Sequence, residues 1–221
     1  MRLVVTALAA ACFALLPQAA ASQGQDAVRT YIQKQAAETL ADRNTRVAAR
    51  YEALANAPGS PVLGNPRGDV TIIVFSDYAC PYCRAAEPRL MELARRDGRI
   101  RLVMKEFPIL TPASLTATRM ALAAARQGKY AVFHRAVMQM PGQLTAAGLE
   151  AKARSLGLDM ARLRRDMTAP EVSDEIIANF NLARGIRAFQ TPTYIVGRQV
   201  LTQDSGEIDF AREVAAARRA K

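Results

Sequence analysis

Val70-Thr71-Ile72-Ile73-Val74-Phe75-Ser76-Asp77-Tyr78-Ala79-Cys80-Pro81-Tyr82-Cys83 is the stretch on which the fold turns. Val70 to Phe75 is β-branched and continuously apolar, bounded by Gly68 ahead and Ser76-Asp77 behind. That is the pattern of a central strand buried on both faces. Arg84 to Arg96 then carries Leu90, Leu93 and Ala94 on one helical face, and Gly98 closes it. Ile100 to Lys105 is a second strand. The unit is strand–helix–strand, and its helix opens at the cysteine pair.

The spacing Cys80-x-x-Cys83 has a chemical reason. At a strand-to-helix turn the first sulfur faces unpaired N–H groups and the positive end of the helix dipole, and both favour thiolate over thiol. Cysteines so placed have pKa values of roughly 3.5 to 7.5 against about 8.5 for a free thiol. Pro81 suits the first turn, where its missing N–H would be unpaired anyway. One turn brings Cys83 beneath Cys80, within reach of a disulfide. Cys80 is therefore expected to be the nucleophile and Cys83 the resolving thiol. A structural disulfide closing so short a loop would gain little. A zinc site lacks ligands, since His134 is the only histidine and Cys12 the only other cysteine. Copper binding aided by Met138, Met140, Met160 or Met167 stays open, although methionines at helical spacing are more often core filler. No cofactor is expected.

Working toward the N-terminus, Gly64 to Asp69 and Pro58-Gly59-Ser60-Pro61 are turn-rich. Residues 25 to 56 read as a helix with a thin stripe of Val28, Ile32, Ala36, Leu40, Val47, Tyr51 and Leu54. Such a stripe suits a partner helix, or a helix lying on its own domain. Ahead of it, Met1-Arg2, the apolar run Leu3 to Leu16, Pro17 and Ala19-Ala20-Ala21 have the layout of a secretory signal peptide, with cleavage expected after Ala21. The run falls short of the ~20 residues that cross a bilayer. The expected organisation is a signal peptide at 1–21, a helical arm at 22–57 that is a candidate oligomerisation segment, and an α/β domain at 58–221. Export places the cysteine pair in an oxidising, periplasmic compartment.

Toward the C-terminus, residues 111 to 184 are rich in Ala, Leu, Arg and Met, and Gly128, Pro141-Gly142, Gly157 and Pro170 divide them into about five short helices. Thr193 to Val196 and Gln199 to Leu201 form a hairpin about Gly197-Arg198, and a last helix runs from about Ser205 to Arg218.

The chain has 221 residues and a net charge of +10, with 50% hydrophobic and 6% aromatic residues and no Trp. A packed core is within reach. The basic clusters Arg162-Arg164-Arg165 and Arg218-Arg219-Lys221 are read as solvated faces, and nucleic acid is not an expected partner of so aromatic-poor an exported protein.

Phe75 to Cys83, Lys105-Glu106-Phe107-Pro108-Ile109-Leu110, Gly128-Lys129-Tyr130 with Phe133-His134, and Gly185-Ile186 followed by Thr191-Pro192-Thr193 together resemble the bacterial DsbA-like thiol:disulfide oxidoreductases, from about Val62 onward and in the same order. The resemblance implies a thioredoxin fold with a helical insertion, here at about 111–185. It implies a cis Thr191-Pro192 bond facing the cysteines, with Pro81, Tyr82, Thr191 and Pro192 supporting the site. It also implies clients that are exported proteins bearing thiols or disulfides, and a membrane redox partner. Tyr82 and Thr191, with an oligomerising arm, favour the alternative, an isomerase or reductase of this group. Members often carry a buried acid six residues before the first cysteine. That position is Val74 here, so either Cys83 loses its proton through water, or Lys105 or Glu106 on the next strand assists. His134 is expected to be a packing or surface residue.

Overall fold

The computed structural model describes residues 18–202 and 207–220. Most of the expected signal peptide therefore lies outside the described residues. Among them are eight helices: α1 (Gln18–Ala55), α2 (Pro81–Asp97), α3 (Pro112–Ala125), α4 (Tyr130–Met138), α5 (Ala146–Ser155), α6 (Met160–Met167), α7 (Pro170–Gly185) and α8 (Phe210–Arg219). Five strands, β1 (Val62–Gly64), β2 (Val70–Ser76), β3 (Ile100–Glu106), β4 (Thr193–Val196) and β5 (Gln199–Thr202), form one sheet in the order β1-β3-β2-β4-β5. β2 and β3 are parallel, as a strand–helix–strand unit requires, and the other neighbours are antiparallel. No described helix is long and apolar enough to cross a membrane.

Alternation along the strands sorts the core into two layers. Val70, Ile72 and Val74 of β2 and Ile100, Leu102 and Met104 of β3 pack with α2, α8 and the insertion helices. Ile73, Phe75 and Val103 point the other way, toward Val47 and Leu54 of α1 and Ala183 and Ile186 at the end of α7. The stripe read on α1 thus divides: Val47 and Leu54 are fully buried, while residues 34–41 are exposed. Among the described residues, those up to Leu40 and those from Ala41 onward are two compact units. α1 also begins seven residues ahead of the expected start at Gln25, running through Gly24, which a helix tolerates at about 1 kcal/mol.

The insertion contains five helices, α3 to α7. Their starts are written in the sequence: Thr111 and Ser114 form a reciprocal capping box on α3, and Thr145 and Asp159 cap α5 and α6. The last helix begins at Phe210, capped by Asp209; the expected start at Ser205 lies outside the described residues. Gly98 ends α2 in the left-handed region at φ 67°, its N–H donating to the Ala94 carbonyl at 3.1 Å. One expectation is corrected here. Arg218 is no solvated charge: its guanidinium grips Asp69 at 2.8 Å and Asp97 at 2.6 Å, tying α8 to the start of β2 and the end of α2.

Candidate active site

β2 delivers the chain to the cysteines through a loop held by one carboxylate. Asp77 is fully buried and accepts three backbone hydrogen bonds, from Ala79 at 2.7 Å and from Ile109 and Leu110 at 2.8 and 3.0 Å. It pins the turn before α2 to the turn after β3, so both loops leave the sheet at one end.

Cys80 is the N-cap of α2 and Pro81 its first residue. The Cys80 sulfur accepts from the Cys83 N–H at 3.4 Å, and its thiol donates to the Thr191 carbonyl at 3.3 Å. The Thr191-Pro192 bond is cis, and the loop that carries it faces the sulfur. Both cysteines are free thiols. Hydrogen bonding from the Cys83 thiol, then from the Thr191 side chain and the Cys83 and Tyr82 N–H groups, outweighs burial and lowers Cys80 to about 6. Cys83 goes the other way, pushed far up by burial and by its bond and charge interaction with Cys80. The two sulfurs therefore differ sharply in how readily each becomes a thiolate. Within the motif Tyr82 is 56% exposed, and Phe189, two residues before Thr191 in the chain, is 69% exposed. Cys80, Cys83, Pro81, Tyr82, Thr191 and Pro192 are thus brought to one place.

Of the two residues weighed as replacements for the acid missing at Val74, Lys105 points away from the cysteines. Lys105 points into the second layer, its ammonium donating to Ser60 Oγ at 2.6 Å, and Ser60 donating on to Glu175 at 2.6 Å. Burial lowers it to about 8. Glu106 lies on the cysteine side of the sheet but is fully engaged. Tyr78 and Tyr130 donate to its Oε1 at 2.9 and 2.7 Å, and Thr118 donates to Oε2 at 3.0 Å. Burial outweighs those bonds and raises it to about 7. His134 is the packing residue of the two expectations, 1% exposed and stacked on Tyr130, and its Nδ1 lies 2.9 Å from Tyr78 Oη and 3.3 Å from Tyr130 Oη. Met138 is buried, and Met140, Met160 and Met167 pack against the first core layer, where filler is expected.

Sequence reasoning passed over Glu87, one turn beyond Cys83 on α2. It is 7% exposed, and both carboxylate oxygens are buried without a partner. An acidic residue on a polar-looking helix gave no signal of this.

A strand running into a Cys-x-x-Cys helix, a cis-proline loop opposite it and a helical insertion before the final hairpin define a thioredoxin fold of the DsbA kind. The model of the DSBA-like thioredoxin domain matches residues 71–214, and the chain belongs to that family. It is similar to a thioredoxin-like oxidoreductase from Silicibacter pomeroyi DSS-3, with 42% identity and a TM-score of 0.72 over 77% of this chain and 98% of that one. The thiol-disulfide exchange protein alpha-DsbA2 from Wolbachia pipientis shares the fold at 23% identity and a TM-score of 0.73, over 81% of this chain and 96% of that one. A Na(+)/H(+) antiporter NhaA 1 from Salinispora arenicola is 31% identical over 137 residues, 61% of this chain. The chain spans about a fifth of the length of such curated relatives, 21% in that case.

Proposed function

We propose that this thiol-disulfide oxidoreductase exchanges disulfides with exported proteins, with Cys80 as the nucleophilic sulfur and Cys83 as the resolving one. The observation that carries the reading is the opposed titration of two sulfurs on one helix turn, the lower of them at the N-terminus of α2 and beside the cis-proline loop. In the oxidising direction a client thiolate attacks Cys80 of the enzyme disulfide. The electron pair of the broken bond goes to Cys83, and a Cys80–client disulfide forms. A second client thiolate then attacks the client sulfur, and Cys80 leaves as the more stable thiolate. Tyr82 and Phe189 give an unfolded client apolar surface beside the sulfur, and Thr191 and Pro192 shape the loop it meets.

The leader at 1–21 and the Cys pair together support a periplasmic location with a membrane protein as redox partner. An arm at 22–57 completes the organisation. Since residues 41–55 pack on the sheet, oligomerisation through that arm would rest on the residues ahead of Ala41. An isomerase is the second reading, favoured by that exposed segment, which could hold several sites around one client. Refolding of a scrambled disulfide protein by the reduced enzyme, with Cys80→Ser as control, separates the two. Strong recovery makes it an isomerase. Little recovery, with rapid oxidation of a dithiol peptide by the disulfide form, makes it an oxidant. Loss of neither activity in Cys80→Ser overturns both.

A further inference from the structure

Cys83 must gain a proton when it becomes a thiol and lose one when it attacks, yet it is buried and Val74 stands where an acid could have served it. A small cavity of about 10 Å³, room for about one water, lies against it, where Ser76, Glu87, His134 and Tyr194 stand in a mostly apolar lining. Both Glu87 oxygens and His134 Nε2 are buried without a partner. Unpaired polar atoms of this kind are costly, and three of them converge on the residues of one cavity. Since His134 Nδ1 is committed to the tyrosines, Nε2 is the nitrogen left for the cavity.

We propose that His134 carries the proton of Cys83 between this cavity and Glu106, through Tyr78, with Glu87 completing the site where the proton changes hands. The proposal rests on the assignment of Cys83 as the resolving thiol.

The relay follows from donor counting. With Glu106 ionised, both tyrosine hydroxyls donate to its Oε1, so His134 Nδ1–H must donate to Tyr78 Oη. Nε2 is then a bare acceptor. When Cys83 S–H gives up its proton through a cavity water or Glu87, Nε2 takes it, Nδ1–H passes its proton to Tyr78, and Tyr78 gives its own to Glu106. Cys83 ends as thiolate, Glu106 as carboxylic acid and His134 as the other neutral tautomer. The reverse sequence protonates Cys83 when a client attacks the enzyme disulfide. At no stage does the imidazole hold both protons. That agrees with its low basicity, which burial and then Arg135 hold at about 3. The other charged or titratable groups acting on the path are Arg135 on Glu87, Asp77 on Glu106, Glu175 on Tyr130, and Cys80 on Cys83.

The test follows the reduced protein mixed with an aromatic disulfide that releases a coloured thiolate. The first release reports attack by Cys80, and the second, independent of reagent concentration, reports resolution by Cys83. The expected result is that the ratio of second to first rate falls at least about tenfold in Glu87→Gln, His134→Gln and Glu106→Gln. Glu106→Gln should also abolish the pH dependence of the second phase near pH 7. Ratios within twofold of wild type in the folded variants overturn the relay. A wild-type measurement keeps the question open to refutation if the variants fail to fold: the ¹⁵N shifts of the His134 imidazole should report Nδ1–H at pH 8 and Nε2–H at pH 5.5. One tautomer throughout overturns the relay. If instead Cys80→Ser keeps both releases or Cys83→Ser loses the first, the cysteine assignment itself fails.

Discussion

Cys80 holds its proton loosely in the dithiol form, and this ties the protein's stability to pH through its redox state. The folded thiol titrates at about 6 against an ordinary 9.0. A depressed acid stabilises the fold fully above its unfolded value, and that stability is lost as pH falls through the folded one. The disulfide form lacks the group. The reduced form should therefore gain on the oxidised form by up to roughly 1.4 kcal/mol per pH unit between pH 6 and 9, and lose that gain again above 9, where the unfolded chain ionises Cys83 and the folded one does not. Denaturant melts of both forms across that window check it, with thiolate absorbance as a second readout. Glu106 runs the other way. Its carboxyl is raised to about 7 from 4.5, so the unfolded chain ionises first and stability falls as pH rises from 4.5 to 7. Glu106→Gln should flatten that part of the profile, seen in urea melts at pH 5 and 8. The cysteine pair was readable because its chemistry is local. The meeting of Glu87 with His134 was not, since a helix surface position and a lone histidine 47 positions later share no pattern along the chain.

At the scale of elements, Asp77 couples two loops that carry the site at one end of the sheet. Asp77→Asn keeps the size but turns an amide N–H₂ toward backbone N–H groups that need an acceptor. A loss of about 1–3 kcal/mol is expected in denaturant melts, with faster hydrogen exchange at Ile109 and Leu110. The strand–helix–strand unit and the closing hairpin were legible because continuous apolar runs sat between turn residues. The five insertion helices were legible because Gly and Pro divide them. β1 was missed for a physical reason. Three residues between Pro61 and Asn65 carry no alternation to detect, and only pairing with β3 makes Val62–Gly64 a strand.

For the whole molecule, the question is what α1 is for. Its C-terminal portion is core: Leu54 is fully buried with Phe75 and Ile195, and Leu54→Ala should cost about 2–5 kcal/mol in a denaturant melt. Leu40 is exposed, and Leu40→Ala should leave the melt unchanged. Light scattering on the protein with and without residues 22–40 tests the oligomer, which predicts a mass above one protomer only when they are present. The arm was legible as a helix, but a single stripe along it could not reveal that its two ends face different surroundings.

The reluctance of Cys83 to ionise also has a meaning in time. On the proposed reading, once a client is joined to Cys80, burial slows the ionisation of the sulfur that would expel it backward. Escape is then slower, and the covalent encounter becomes a commitment, ended chiefly when the client presents a second sulfur of its own. Burying one side chain would thus act as a ratchet, favouring finished bonds over abandoned attempts.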